Sequence, residues 1–187
     1  MPGMPETTTS PHDCSKSHSK YRPRDATVDV ISTPWDHPDG VQLRQAQRLE
    51  ITSLGGIDPG TPPTAGDVTV YVVAYDQGVP VGCGGLRPLN PTTGYPQNAA
   101  EIKRMFVERS HRGRVGSGQS VAAMILFALE EAALQMGLQM LKLETGEFLN
   151  QARAFYERHG FTECAAFGAY TNSTNSVFYE KSLAAYV

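Results

Sequence analysis

The sequence has few of the features that mark disulfide-stapled, membrane-spanning or nucleic-acid-binding proteins. Its cysteines, Cys14, Cys83 and Cys164, are odd in number and far apart, so no disulfide framework is implied. It has no apolar run of membrane-spanning length, and its first residues lack the apolar core of a secretory signal. A formal charge of −3 at pH 7 argues against nucleic acid as the main partner. We therefore expect a cytoplasmic protein with neither a membrane nor a nucleic acid as its partner.

Signatures of common cofactor and metal sites are also missing. No Gly-Lys-Ser/Thr follows a glycine-rich loop, and the dinucleotide pattern G-x-G-x-x-G is absent. His12, Cys14 and His18 match no zinc spacing and lack a fourth ligand, so no metal site is predicted. These three residues lie in residues 1–24, which are rich in Pro, Ser, Thr and His and are expected to be disordered. Residues 25–187 are expected to form one domain.

The most informative stretch that is present runs over residues 100–133. It has the pattern of a buried strand, a basic glycine-rich loop and a long amphipathic helix. Such a loop at a helix start is one way to hold a phosphate, because the first N–H groups of a helix lack internal partners. Arg112 and Arg114 add positive charge, and Gly113, Gly116 and Gly118 let the backbone approach an anion closely. From these residues alone, a solvated turn with arginines remains an equal alternative.

Hydrophobic periodicity predicts the remaining elements of the fold. Asp36 or Asp39 is the predicted cap of the first helix, Asp76-Gln77-Gly78 is a predicted hairpin turn, and Gly137 is the predicted stop of the long helix. Strands are predicted at residues 27–31, 68–75, 79–86, 101–107, 140–144, 161–167 and 177–181, and helices at residues 41–51, about 121–136 and 149–158. The strand, helix and strand over residues 101–144 predict a right-handed parallel crossover. Together these elements predict an α/β fold of the mixed-sheet type, with a twisted sheet flanked by helices.

At this point the chain resembles the GNAT superfamily of N-acetyltransferases, over about residues 28–183. The resemblance is carried by VPVGCGGLRPL, AEIKRMFVERSHRGRVGSG, LKLETG and ARAFYERHGF, and by AFGAY and SVFYEKSL near the end. The last two, with EIKRM, are similar to a bacterial and fungal branch whose acceptors are mostly unassigned. The resemblance implies a mostly antiparallel sheet whose two central parallel strands splay apart, with acetyl-CoA bound between them as the cosubstrate.

The resemblance also implies which residues bind acetyl-CoA. The pantetheine arm would pair with the backbone of Met105, Phe106 and Val107, one of whose N–H groups would stabilise the thioester oxygen. The pyrophosphate would lie on the loop formed by Arg112, Gly113, Arg114, Val115, Gly116, Ser117 and Gly118.

This loop departs from the family pattern. Val115 stands where the first glycine is expected, and an insertion falls between Arg112 and Val121. If it falls late, residues 112–116 hold the pyrophosphate; if early, residues 117–120 do. A longer loop or helix start is favoured over an extra turn within the helix, because Gly and Ser start helices better than they continue them. A second departure is Leu149, where many relatives place an asparagine; Asn150 is one step off.

Two side chains are candidates for proton transfer. Tyr156 matches the family tyrosine whose hydroxyl lies near the CoA sulfur, so the resemblance implies that it is the acid; a packing tyrosine is the alternative. Glu101 matches a glutamate that deprotonates amines in several relatives, and alternation predicts that it shares a face with Lys103, Met105 and Val107. An ion pair of Glu101 with Lys103 or Arg104 is the equally weighted alternative.

Other conspicuous side chains are given ordinary roles. Cys83 is expected to be an inert buried thiol, and His111 and His159 are expected to be solvated. The acceptor pocket has six candidate residues, which are Trp35, Tyr71, Arg87, Arg104, Phe148 and Tyr170.

The function predicted from the sequence is an acetyl-CoA-dependent N-acetyltransferase. It would act on a small-molecule amine or an amino-terminal group by direct transfer in a ternary complex. The alternative is a non-catalytic acyl-CoA-binding module of the same fold, and an interaction protein without a ligand has little support from the Gly/Arg loop. Self-association as a homodimer is left open.

Overall fold

The computed structural model describes residues 28–56, 62–89, 98–113, 118–168 and 174–183, which fold around one seven-stranded sheet. The tail of residues 1–24 and most of the turn-rich segment before residue 98 lie outside the described residues. The elements follow in the order β1 Val28–Ser32, α1 Pro38–Ser53, β2 Val70–Asp76, β3 Val79–Pro88, β4 Ala99–Val107, α2 Val121–Gln135, β5 Met140–Gly146, α3 Asn150–Arg158, β6 Thr162–Glu163 and β7 Ser176–Ser182.

The strands lie in the order β1-β2-β3-β4-β5-β7-β6 across the sheet. Among the described strands, β4 and β5 form the one parallel pair, and the other neighbours are antiparallel. The predicted hairpin between β2 and β3 is confirmed. Gln77 and Gly78 have φ values of 49° and 83°, and positive φ at both residues is what a two-residue turn needs to match the twist of its strands. The mixed sheet expected from the sequence is therefore present.

Helices cover both faces of this sheet. The α2 and α3 helices pack on one face, where their apolar side chains form the main core with alternate residues of the strands. The α1 helix packs on the opposite face, hereafter the α1 face, over a smaller cluster that includes Leu43, Tyr71 and Cys83. Gly82 and Gly84 allow α2 to lie close to β3, because a Cβ at Gly82 would come within 2.8 Å of Ile125 Cδ1.

The ends of α2 follow local rules that the sequence displays. Ser120 is the N-cap, and its Oγ accepts a hydrogen bond from the N–H of Ala123 at 3.2 Å. Gly137 has a φ of 73°, and Leu138 donates its N–H to the carbonyl of Ala133 at 2.9 Å, which closes the helix. Since α2 begins only at Val121, the inserted residues precede the helix, as the Gly and Ser content indicated.

The predicted start of α1 was wrong. Neither Asp36 nor Asp39 is its N-cap; the cap position is His37, which makes no side-chain capping hydrogen bond, and Pro38 is the first helical residue. Proline suits this position because its missing N–H would have no helical partner there. Asp39 lies in the first turn and accepts a hydrogen bond from the Tyr75 hydroxyl at 2.8 Å.

The strand predicted over residues 161–167 is also mostly wrong. Only Thr162–Glu163 pairs with β7, although Phe161 and Phe167 at the two ends of the segment are buried. Phe161 joins the main core, and Phe167 packs edge-on against Phe178 with ring centroids 5.4 Å apart. The apolar residues of this segment are therefore buried although most of the segment is irregular and forms no continuous strand ladder.

Candidate active site

The central parallel strands separate shortly after they begin to pair. Their ladder joins Ala99 to Met140 and ends at Glu101 with Lys142, whereas β4 continues to Val107 and β5 to Gly146. In the described part of the chain, no ladder pair with β5 follows on the later residues of β4. An extended arm bearing amide groups fits this geometry, because strand backbone without a neighbouring strand can bond to it as a further strand would.

A β-bulge lies where the two strands part. Cys83 of β3 pairs with Phe106, and Gly85 pairs with Lys103, so a two-residue step on β3 faces a three-residue step on β4. Arg104, within the longer step, has a φ of 56°, a conformation that non-glycine residues rarely adopt. The bulge is therefore a defined irregularity of β4 at Arg104.

This bulge overturns the predicted alternation along β4. Glu101 and Lys103 lie on the α1 face, whereas Met105 and Val107 pack with the α2 and α3 core on the other face. The extra residue exchanges the two faces for everything that follows it. The predicted sharing of one face by these four residues was consequently wrong.

Tyr156 lies on the α3 side of the separated strands. It is a buried residue of α3, and its hydroxyl donates to Met105 Sδ at 3.5 Å. Its ring meets Phe155 and Phe161 edge-on, with centroids 5.3 and 5.5 Å apart. Burial raises the pKa of this phenol above its ordinary value, which keeps it protonated at neutral pH. A thioether is a weak acceptor, so the hydroxyl has only a weak partner here.

Glu101 is held by two cations on the α1 face. Its side chain is 1% exposed; Arg87 donates from Nε to Oε2 at 3.1 Å, and Lys103 donates from Nζ to Oε1 at 3.2 Å. The ion-pair alternative therefore has the Lys103 contact that the sequence suggested, with Arg87 as a second partner. Each oxygen of this buried carboxylate therefore already has a cationic partner.

Arg112 turns away from the start of α2. It donates from Nε to the carbonyl of Val107 at 2.8 Å and from Nη2 to Glu50 Oε2 at 2.8 Å. Arg109 also contacts Glu50, and these hydrogen bonds, that of Arg112 foremost, hold the pKa of the Glu50 carboxyl below its usual range. Arg112 thus binds α1 to the end of β4.

Two further glycines of the loop, Gly113 and Gly118, belong to the described residues. Gly113 has a φ of 104°. Gly118 leads into the N-terminus of α2, and the N-terminus of a helix carries the positive end of its dipole. The predicted pyrophosphate residues Arg114, Val115, Gly116 and Ser117 lie outside the described residues.

Three α1 residues in this region were missed by sequence reasoning. Gln47 donates from Nε2 to the carbonyl of Met105 at 2.9 Å, Glu50 holds the arginines after β4, and the guanidinium of Arg44 stacks on Trp35 with its Cζ 3.7 Å from the ring centroid. These contacts join segments 58 or more residues apart in the first two cases. No local sequence pattern could reveal these contacts. The three residues are spaced three apart along α1, which was only a weak sign that they lie on one side of the helix.

Several residues predicted to line the acceptor pocket lie near α1. Trp35 and Tyr71 meet edge-on 5.0 Å apart under Arg44, and the Phe148 ring packs on Gly56 just beyond α1. Arg87 instead pairs with Glu101, and Tyr170 lies outside the described residues. The structure therefore brings Trp35, Tyr71 and α1 together as one wall.

Of the residues given ordinary roles, Cys83 behaves as expected, whereas His111 lies 3.5 Å from Asp76 Oδ2 and 2.9 Å from Ser110 Oγ and is not simply solvated. Cys83 is fully buried and its pKa is raised to about 11, mainly by burial, while the nearby charges of Arg44 and Arg104 lower it and Glu108 raises it. Such a thiol is protonated and a poor nucleophile at neutral pH. His159 is not simply solvated: its Nδ1 is 2.7 Å from the carbonyl of Phe155. Asn150 is exposed at the first position of α3.

Neither a metal cluster nor a membrane-spanning helix is found in the described ranges. Within them, no three or more His, Cys, Asp or Glu side chains are grouped so as to hold a metal ion. None of the helices in the same ranges is both long and apolar enough to cross a bilayer.

Comparisons with known proteins agree with this geometry. A sequence model of the acetyltransferase (GNAT) family matches residues 64–161. An IAA acetyltransferase of Azospirillum brasilense is 36% identical over 113 residues, which are 60% of this chain and 67% of that protein. A Klebsiella pneumoniae crystal structure described as an acyl-CoA N-acyltransferase superposes with a TM-score of 0.68 and 29% identity, over 83% of this chain and 97% of that one.

A third relative shares the fold at lower identity. The PaiA N-acetyltransferase of Thermoplasma acidophilum, solved in complex with coenzyme A, has a TM-score of 0.50 and 14% identity, over 79% of this chain and 75% of that one.

Proposed function

Because the chain belongs to the GNAT acetyltransferase family, we propose that it is an acetyl-CoA-dependent N-acetyltransferase acting on a small amine. The observation that carries this proposal is the separation of β4 from β5, with the Tyr156 hydroxyl against Met105 at the opening. The coenzyme A bound to the Thermoplasma relative supports acetyl-CoA as the cosubstrate. Direct transfer in a ternary complex requires no protein nucleophile, which suits the protonated, buried Cys83.

In the proposed complex, the pantetheine arm runs along Met105, Phe106 and Val107. The amine nitrogen attacks the thioester carbon, a C–N bond forms and the C–S bond breaks. A backbone N–H at the end of β4 stabilises the carbonyl oxygen as it gains charge. The departing thiolate takes a proton from Tyr156, and the amine releases a proton to water or to a base.

We assign the pyrophosphate to residues 117–120 and the α2 N-terminus. The Arg112 guanidinium is already bound to the Val107 carbonyl and to Glu50. This contact favours the later part of the loop, next to the start of α2, over residues 112–116. Arg114 is then the arginine of the loop that supplies charge to the phosphates.

For the base we retain Glu101, acting through water, as a proposal with a specific difficulty. Its two carboxylate oxygens already accept hydrogen bonds from Arg87 and Lys103. A structural carboxylate that fixes the two cations is the competing role.

The proposal of acetyl transfer is tested with the full chain, acetyl-CoA and a panel of small amines, by following thiol release. Initial rates at varied concentrations of both substrates should give intersecting double-reciprocal lines, because both substrates must be bound together. Parallel lines would indicate a covalent intermediate instead. Coenzyme A binding without turnover of any amine would favour the non-catalytic acyl-CoA-binding module.

Tyr156→Phe should lower kcat by about 10²–10⁴-fold, the usual contribution of a general acid. The melting temperature and acetyl-CoA affinity should change little, because the lost hydroxyl has only the Met105 sulfur as a partner. Tyr179→Phe is the matched control: its hydroxyl donates to Glu157 at 2.8 Å and accepts from Arg153 at 3.3 Å, so its loss should affect stability and not kcat. A kcat of Tyr156→Phe within about twofold of the parent would remove it as the acid.

Glu101→Gln separates the two roles of this carboxylate. A base predicts that the rate falls most at low pH, where more of the amine is protonated. A structural anion predicts a pH profile of unchanged shape with a loss of stability of roughly 3–5 kcal/mol, because two cations lose a buried partner. Glu180→Gln is the stability control, since its side chain is 36% exposed although its partner Lys142 is buried. An equal stability loss in both variants would contradict the structural role.

Arg114→Glu should weaken coenzyme A binding by about 10- to 100-fold, the usual effect of losing a hydrogen bond to a charged group. Pantetheine has no phosphates, so its affinity should not change. Arg48→Glu, which makes the same charge change at an exposed position of α1, is the control. Calorimetry giving equal losses in the two variants would mean that net charge alone is responsible and that the phosphates lie elsewhere.

A further inference from the structure

An arginine without a carboxylate partner lies on the α1 face beside the separated strands. The Arg44 guanidinium stacks on Trp35, with Cζ 3.7 Å from the ring centroid, and lies 5.0 Å from the centroid of Tyr71, whose ring meets Trp35 edge-on. No carboxylate of the described residues forms an ion pair with it, and its Nη1 is buried without a hydrogen-bond partner in the same set. Stacking on Trp35 restricts the plane of the guanidinium and so pre-orients its donors.

Gln47 presents a complementary group about one helical turn further along α1. Its Nε2 donates to the Met105 carbonyl at 2.9 Å, and its Oε1 is buried with no hydrogen-bond partner among the described residues. Because a carbonyl only accepts, the amide must turn its nitrogen to Met105, and its oxygen is left for a donor. The α1 helix therefore offers a cationic donor and a neutral acceptor on one side.

The charge around Arg44 favours an anion. Arg44 and Arg104 both lower the pKa of the Cys83 thiol, so both lie close enough to act on its charge, while Glu108 raises that pKa. Nearby on β3 and β4, Arg87 and Lys103 both pair with the Glu101 carboxylate, and Arg87 also acts on Asp67.

We propose that the acceptor is a free amino acid or a similar amine that carries its own carboxylate. Arg44 binds the carboxylate, and Gln47 Oε1 accepts a hydrogen bond from the amine nitrogen. This inference rests on the acetyl transfer proposed above and narrows its acceptor. It disfavours the amino terminus of a peptide, whose carboxylate lies at the far end of its chain.

The spacing of the two groups suits such a ligand. Residues three apart on a helix are about 4.5 Å apart along its axis, and the amine and carboxylate of an amino acid are separated by only a few bonds. The arrangement brings the amine to Met105, the residue that also contacts the Tyr156 hydroxyl. The acceptor nitrogen and the proposed acid then approach β4 from its two faces.

The test compares amino acids with their carboxamides as acceptors, because each pair differs only at the carboxylate. The parent should prefer the acid in kcat/KM by about 10- to 100-fold, as expected for a hydrogen-bonded charge. Arg44→Gln should lower kcat/KM for the acid by a similar factor and leave the carboxamide within about twofold. Arg48→Gln, on the exposed side of the same helix, should behave as the parent does.

A second readout does not need turnover. Trp35 is the single tryptophan of the chain and stacks on Arg44, so its fluorescence reports on this position. N-acetyl amino acids should change that fluorescence in the parent and in Arg48→Gln, but not in Arg44→Gln. Their carboxamides should have little effect on any of the three proteins.

Two results would overturn the inference and leave acetyl transfer intact. One is equal turnover of acids and carboxamides by the parent; the other is an equal loss for both in Arg44→Gln, which would give Arg44 a structural role. If the parent acetylates neither set nor any other amine, acetyl transfer itself fails and the acceptor assignment falls with it.

Discussion

The site depends on the loss of strand pairing between β4 and β5 after Glu101. While β4 is paired with β5, its side chains alternate regularly between the two helical layers. At Arg104 the chain takes up one extra residue against β3, and from Met105 onward the two faces are exchanged. The bulge keeps β4 attached to β3 on one side while its other edge is no longer paired with β5. Each residue of the candidate site takes its position from this change.

A strand that loses a neighbour must satisfy its carbonyl groups in another way. The α1 helix contributes here: Gln47 donates to the carbonyl of Met105, and Glu50 orients Arg112, which donates to the carbonyl of Val107. These contacts hold α1 across the end of β4. The helix that stabilises the separated strand therefore also forms one wall of the site proposed for the acceptor.

Much of the fold could be predicted from the sequence because its signals are local. Ser120 before an apolar stripe, Gly137 after it and Gln77-Gly78 between two alternating segments each specify one feature through nearby atoms. The bulge could not be predicted in this way, because its φ of 56° occurs at an arginine and not at a glycine. The strand predicted over residues 161–167 was mostly wrong because Phe161 and Phe167 are buried. Burial produces a strand-like pattern whether or not a partner strand is present.

The candidate site residues Tyr156 and Glu101 were proposed from a resemblance that extends over the chain, and not from local signals. The helical spacing of Tyr156 agrees with its burial. Arg87 as the partner of Glu101, and Arg44 and Gln47 on α1, depend on contacts between distant segments. Their chemistry is ordinary, and only the packing of α1 on the sheet gives them a role.

The charges on the α1 face also bear on how the amine loses its proton. In the proposed complex the ammonium form of the acceptor would lie near the positive charge of Arg44. Positive charge nearby lowers the pKa of an ammonium group, because it disfavours the charged form. The same charge binds the carboxylate of the acceptor. One positive group can therefore both select an amino acid and favour its neutral, nucleophilic amine, which lowers the demand on a base such as Glu101.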